Sequence, residues 1–186
     1  MRKQADWVLL EHAAPTLAGI KTASMFRLKG LQAEREAALC AWREVISARG
    51  ISVAVLQEET ESALVYVYRA SYLRQDWEHP GVAEFLAAYG YDAAAPVAEN
   101  LDRLRIRLAE SSFPHEIGLF LGYPLADVQG FIAHCGRNYR LCGCWKVYGD
   151  PCFAQRCFVK YKKCRDVYLK CYEQGQLLSR LTVVGK

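Results

Sequence analysis

Ile51-Ser-Val-Ala-Val-Leu56, then Glu58-Glu-Thr-Glu61, then Ala63-Leu-Val-Tyr-Val-Tyr-Arg69 is the stretch that decides how this chain is read. Two runs rich in β-branched and aromatic residues flank a short, mostly acidic segment. That is the pattern of a hairpin whose strands meet across a solvated turn. Just before it, Gln32 to Ala48 brings Leu39, Trp42, Val45 and Ile46 round at helical spacing, with Ala and Glu on the flanks. Gly50 follows as the helix cap, because glycine enters the left-handed conformation without steric cost. One helix and one antiparallel hairpin therefore form the nucleus of the expected fold.

Outward from this nucleus the signals are shorter. Upstream, Ser24–Leu28 reads as a strand, and Asp6 to Ala13 as a short amphipathic helix ended by Pro15. Downstream the pattern turns helical, and prolines mark the starts. Pro80-Gly81 opens a helix to Tyr89, Pro96 one to Glu110, Pro114 one to Leu121 and Pro124 one to His134. Tyr89 to Ala95 reads as a loop and Trp145–Tyr148 as a short strand. Pro151 to Gln174 is a long helix, and Leu177–Val184 a closing strand. Strands at the ends and helices between them predict α+β rather than a doubly wound sheet. The expectation is one domain over residues 1–186, with one small mixed or antiparallel sheet of three to five strands flanked by helices.

Composition narrows the class. The chain has 186 residues, 52% hydrophobic and 24% charged, which is ordinary for a soluble globular protein. A chain of this length buries roughly 70% of its unfolded surface, so its eight cysteines are not needed as staples. No apolar run approaches the roughly 20 residues that span a bilayer, and no membrane partner is expected. Met1-Arg2-Lys3 is basic like the start of a secretory signal, but Asp6 and Glu11 interrupt the apolar run that a signal needs next. Neither Asn100 nor Asn138 lies in a glycosylation sequon. A cytoplasmic protein with reduced thiols is the expectation. Charge is uneven: residues 1–136 carry 13 Lys+Arg against 17 Asp+Glu, and residues 137–186 carry 11 against 3. The basic segment is also aromatic, a composition shared by nucleic-acid surfaces and by solvated helix faces.

The cysteines divide by spacing. Cys157, Cys164 and Cys171 recur every seven residues, two helical turns or about 10 Å apart, too far to share one metal. With Phe153, Tyr161 and Tyr168 they read as a stripe of core, and Cys40 is read the same way. Cys135, Cys142, Cys144 and Cys152 lie around glycines and beside Arg137, Arg140 and Lys146, which favour thiolate. Gly143 reads as a pivot that lets its two neighbouring thiols turn to one point. Three readings stay open for these four cysteines: a zinc or iron–sulfur site with His134 in reserve, a redox pair at Cys142 and Cys144, or no special role. The C-x6-C-x-C-x7-C spacing lacks the C-x2-C pair of a strong metal motif.

Phe113-Pro-His-Glu-Ile-Gly-Leu-Phe-Leu-Gly-Tyr-Pro-Leu-Ala-Asp-Val128 is the other informative stretch. His115-Glu116 resembles the opening of a zincin helix, but Leu119 stands where its second histidine belongs. What remains is a histidine expected in a helix's first turn, where the dipole disfavours its protonated form. The alternative is that His115 and Glu116 simply bond the loop before the helix. His12 reads as a helix-end cap and His79 as part of a surface turn. No phosphate loop or nucleophile elbow is present.

This stretch, His12-Ala-Ala-Pro15 through Lys21 to Phe26, and Cys142-Gly-Cys-Trp-Lys-Val-Tyr148 together resemble an uncharacterised bacterial family. It is a domain of unknown function found largely in anaerobic Gram-positive bacteria. The resemblance covers nearly the whole chain and implies no activity. The residues that match are Pro15, Lys21, His115, Glu116, Gly118, Gly122, Tyr123, Pro124, Asp127, Trp145, Lys146 and Tyr148. The first functional expectation is a cytoplasmic ligand-binding or accessory protein for a small anionic or redox-related ligand. Its site would draw on His115, Glu116, Lys21, Tyr123, Asp127, Trp145, Lys146 and Tyr148. There Lys21 and Lys146 would meet the anion, Trp145 and Tyr148 would stack, and His115 would orient. The alternatives are a thiol- or metal-dependent redox enzyme built on Cys142 and Cys144, and a nucleic-acid-binding module using the basic C-terminal segment.

Overall fold

Glu59 sits at the tip of the hairpin, and its contacts show how the turn is held. Its backbone N–H donates to the Ser62 carbonyl at 2.8 Å, and its carboxylate accepts the Ser62 hydroxyl at 2.8 Å. That hydroxyl, and then Arg27 at 2.8 Å, hold the Glu59 carboxyl below its ordinary range. The structure is a computed structural model that describes residues 2–110 and 112–185, so Met1 of the basic opening lies outside them. Strands β2 (Ser52–Glu58) and β3 (Ser62–Tyr68) pair antiparallel, with Val53 opposite Val67 and a register shift between Val55 and Gln57. Strand β1 (Ala23–Lys29) pairs with the other side of β3, giving the order β1-β3-β2.

The chain divides into two compact units, Met1–Ala70 with Tyr161–Lys186, and Ser71–Lys160. In the first, the pleat sends Phe26, Leu28, Val53, Ala63, Val65 and Val67 to one face of the sheet. Helices α1 (Arg2–Leu17) and α2 (Gln32–Ile46) bury Leu9, Leu10, Ala13, Leu17, Leu39, Trp42 and Ile46 against that face. A single 3-10 turn, Ser47–Arg49, follows α2, and Gly50 takes φ +73°, the left-handed cap that its position calls for. Trp42 donates its indole N–H to Asp6 at 2.8 Å, and Tyr172 donates its hydroxyl to the second Asp6 oxygen at 3.1 Å.

Sequence and structure part at several places in this unit. Pro15 does not end the first helix: α1 runs on to Leu17. The proline forgoes one N–H bond, but Ala13, Ala14 and Leu17 are fully buried and hold the last turn in place. The C-terminal segment is not a strand. Leu178–Leu181 forms a 3-10 turn that buries Leu178 and Leu181 in the core. The backbone around it is held by Arg69, which is wholly buried and donates to the carbonyls of Thr16, Leu17, Arg49 and Val183. Cys40 is exposed on α2 rather than in the core. Cys157, Cys164 and Cys171 are only half-buried, and Ala154 alone is buried along α8 (Pro151–Glu173). Helix α8 is thus a surface helix that lends Tyr168, Leu169, Cys171 and Tyr172 to the first unit's core at its C-terminal end.

The second unit is helical. Helix α3 (Ala70–Trp77) follows the hairpin directly, then α4 (Val82–Ala87), α5 (Val97–Leu108), α6 (Ile117–Phe120) and α7 (Leu125–Ala133). Pro96 and Pro124 stand at the caps of α5 and α7, as their missing N–H favours. Trp77 and Tyr91 each meet the Phe120 ring edge-on at 5.1 Å, and this aromatic trio centres the unit's core. The short strands β4 (Leu141–Cys142) and β5 (Lys146–Val147) form a separate two-stranded ribbon. The fold is α+β, built on an antiparallel sheet.

Candidate functional site

Asp127 organises the region that the sequence singles out. It lies in the first turn of α7 and is 3% exposed. One carboxylate oxygen accepts the backbone N–H groups of Tyr148 and Gly149, each at 2.7 Å, and the other accepts the Trp145 indole N–H at 2.7 Å. Every donor comes from the ribbon's second half and the residues just after it, so this carboxylate fastens that segment to α7. Trp145 is then held on both sides, stacked on Tyr123 at 4.9 Å and meeting Phe158 edge-on at 4.6 Å.

Three glycines make the close packing possible. A Cβ on Gly118 would lie 2.7 Å from Val128, one on Gly130 2.4 Å from the Tyr148 ring, and one on Gly143 2.3 Å from the Phe158 ring. These are distances no side chain tolerates. Gly143 is therefore the place where Phe158 packs, rather than a pivot for two thiols. Gly122 turns the chain at φ +73° between α6 and α7.

The remaining candidates are also engaged. Glu116 is 1% exposed and accepts the Tyr91 hydroxyl at 3.1 Å and Arg107 Nε at 2.9 Å. Its hydrogen bond raises the Arg107 pKa, while burial first and then Glu116 raise that of Tyr91. His115 is exposed, its ring near Phe113 and Phe131. It precedes the N-cap of a four-residue helix rather than standing in a first turn, so the expected dipole effect has no helix behind it. Lys146 donates to the Gly136 carbonyl at 2.8 Å and lies over the Tyr139 and Phe131 rings. Tyr148 donates to the Arg137 carbonyl at 2.9 Å and stacks on His134. Tyr123 donates to the Cys144 carbonyl at 3.4 Å, and burial, then Cys144, pushes its hydroxyl up to about 12. Lys21 lies in the first unit, near the Tyr161 ring.

Cys135, Cys142, Cys144 and Cys152 are all exposed and unbridged. Among the described residues, no group of three His, Cys, Asp or Glu side chains is placed to hold a metal ion.

The structure does bring a concavity to this region, of about 540 Å³. Gly122, Tyr123, Pro124, Leu125, Ala126 and Asp127 form one wall, and Gly149, Asp150 and Phe153 another. The third comes from α3 and the turn after it: Asp76, Trp77, His79 and Pro80. No sequence signal points to that third wall. His79 reads there as a surface turn, and nothing in its spacing connects it to Tyr123.

The comparisons with known proteins bear on the same segment. A family model described as "Protein of unknown function (DUF3793)" matches residues 9–182. The chain belongs to this family. The match takes in both the sheet and the Asp127 junction, so the family is defined over both units. No curated protein and no solved structure matches the chain.

Proposed function

We propose that this member of the family is a small-ligand-binding or accessory protein without catalytic turnover, acting in the bacterial cytoplasm. Its ligand would occupy the hollow at Gly122-Tyr123-Pro124. One observation carries the reading: a cavity of about 540 Å³ opens on Tyr123 and Asp127, within the size range of small-molecule sites. Trp77, Val82, Leu119, Leu125 and Phe153 give it apolar walls, and Asp76 and Asp150 give it acidic groups. No lysine or arginine lines it among the described residues. This chemistry favours a polar neutral or cationic ligand over the anion suggested by Lys21 and Lys146. In this reading Glu116, Asp127, Trp145, Lys146 and Tyr148 are the frame that shapes the hollow.

The test is a small-molecule screen by thermal shift on the parent and on Ala126→Trp, which puts an indole into the hollow from an exposed position. A compound that stabilises the parent and leaves the filled variant unmoved supports the site. Equal stabilisation of both proteins by every hit removes it. A second reading, a thiol redox protein, draws on Cys142 and Cys144 being exposed on either side of Gly143. It requires that mild oxidation remove two thiols together, and that Cys142→Ser prevent the loss of both.

A further inference from the structure

The first unit has a hollow of its own. Ala37, Ala38 and Ala41 of α2 stand opposite Val8 of α1 and the end of the edge strand β1. Larger residues of α2 (Leu39, Trp42 and Ile46) fill the core, so the short side chains leave a groove of about 620 Å³ beside it. Its floor is apolar: Ala5, Val8, Leu28, Ala38 and Ala41.

Small residues alone do not make a site, but the polar groups of this groove point to a particular chemistry. Arg35 lines it and is 3% exposed. Its terminal nitrogens donate to the carbonyls of Gly30, Glu59 and Thr60 and to the Glu58 carboxylate, while its Nε, buried as well, has no hydrogen-bond partner among the described residues. A buried donor left unmade forfeits its hydration with nothing in return, and such an orphan calls for a missing partner. Lys29 and Arg27 lie along the same groove. Arg27 is engaged by Glu59, whereas Lys29 has no acidic partner among the described residues. Against these cations Glu34 is the only carboxylate of the lining among the described residues, and it is turned to its own helix, accepting the Leu31 N–H at 3.3 Å.

We propose that this groove is a second binding site, for a small amphipathic oxyanion. A carboxylate or phosphate head sits at the Arg35 and Lys29 end, and a short hydrocarbon body lies along Ala38 and Ala41. The head offers Arg35 the acceptor it lacks and neutralises Lys29. The body covers alanine, valine and leucine surface that is otherwise wet. This site is independent of the hollow at Tyr123, whose lining has no lysine or arginine among the described residues.

Titration calorimetry and backbone amide shift mapping on the whole chain test it, with octanoate, octyl phosphate and octylammonium as probes. The expected result is binding of at least one anion, with shifts centred on Leu28, Ala38 and Ala41, and no binding of the ammonium. Whichever anion binds more tightly identifies the head group. Ala37→Leu with Ala41→Leu fills the groove and keeps every charge, and should abolish binding. Lys29→Glu alters only an exposed side chain and should weaken the anion about tenfold or more. The proposal fails if neither anion binds at millimolar concentration, if the ammonium binds as well as the anions, or if the shifts map outside the groove. It fails equally if Lys29→Glu leaves the affinity unchanged.

Discussion

At the scale of single residues, Asp127 carries the strongest prediction. Its carboxylate is the acceptor for three donors, two of them backbone N–H groups. Asp127→Ala orphans all three in a buried place and should cost about 3 kcal/mol or more in a urea titration. Asp127→Asn keeps one carbonyl acceptor but sets an amide N–H₂ against one of the donors, at about 1–2 kcal/mol. Trp145→Phe removes the indole donor, so Asp127→Asn should cost less in that background than in the parent. Equal costs in both backgrounds would refute the pairing. Gly143→Ala should destabilise by about 1–3 kcal/mol through Phe158, and Phe158→Leu should recover part of it. A double mutant that is merely additive would show that the Gly143 contact is not the cause. These roles explain what the sequence shows of the site and what it hides. Asp127, Trp145 and Tyr148 stand out in the chain, yet residue type alone suggests ligand contacts for them. Asp127's three donors lie 18 to 22 residues away in the chain, beyond the reach of any local pattern.

At the scale of elements, legibility follows how local the stabilising interactions are. The hairpin and α2 are readable because alternation, helical spacing and Gly50 all act within a few residues. Helix α3 is not, since only Leu73 and Trp77 are buried in its eight residues, too few to show a period. The C-terminal segment misleads because Leu177–Val184 is apolar like a strand, while its conformation is set by core contacts and by Arg69, far back in the sequence. Helix α8 misleads in the opposite sense, its seven-residue cysteine spacing being regular although the stripe is only half-buried. Arg69 is the element-scale test. It joins the end of α1, the turn after α2 and the C-terminal segment through their carbonyls. Arg69→Met should lower stability by about 3 kcal/mol or more. Arg69→Lys should not restore it, because an ammonium cannot reproduce the planar fork. Hydrogen exchange should show the loss first at the Val183 amide, which donates to the Leu17 carbonyl at 3.0 Å. Protection there that survives Arg69→Met would contradict the clamp.

For the whole molecule, the basic C-terminal charge proves to sit on exposed positions of α8, among them Arg156, Lys160, Lys162, Lys163 and Lys170. Titration instead acts on the fold through tyrosines. Burial pushes Tyr123 in the second unit and Tyr168 in the first up to about 12 from an ordinary 10.0, with Cys144 and Cys164 as the next causes. A raised pKa in the folded state means that the neutral phenol is the form the fold prefers. The stability this represents is fully present below pH 10, where the unfolded chain also keeps its phenols neutral. It is lost as pH rises from about 10 through about 12, because unfolding releases protons there. For Tyr123 the loss amounts to up to about 2–3 kcal/mol, each tenfold change in proton affinity being worth about 1.4 kcal/mol. Tyr168, packed only partly buried at the edge of the first unit's core, contributes less. Urea midpoints measured at intervals across that range should therefore hold steady to pH 10 and then fall. Tyr123→Phe removes the hydroxyl that donates to the Cys144 carbonyl at 3.4 Å and should flatten the alkaline fall, with Tyr168→Phe adding a smaller correction. All the variants keep the same other ionisable groups, so the comparison between them isolates the phenols. Parallel curves for the parent and Tyr123→Phe would mean that the Tyr123 hydroxyl ionises as freely in the folded chain as in the unfolded one.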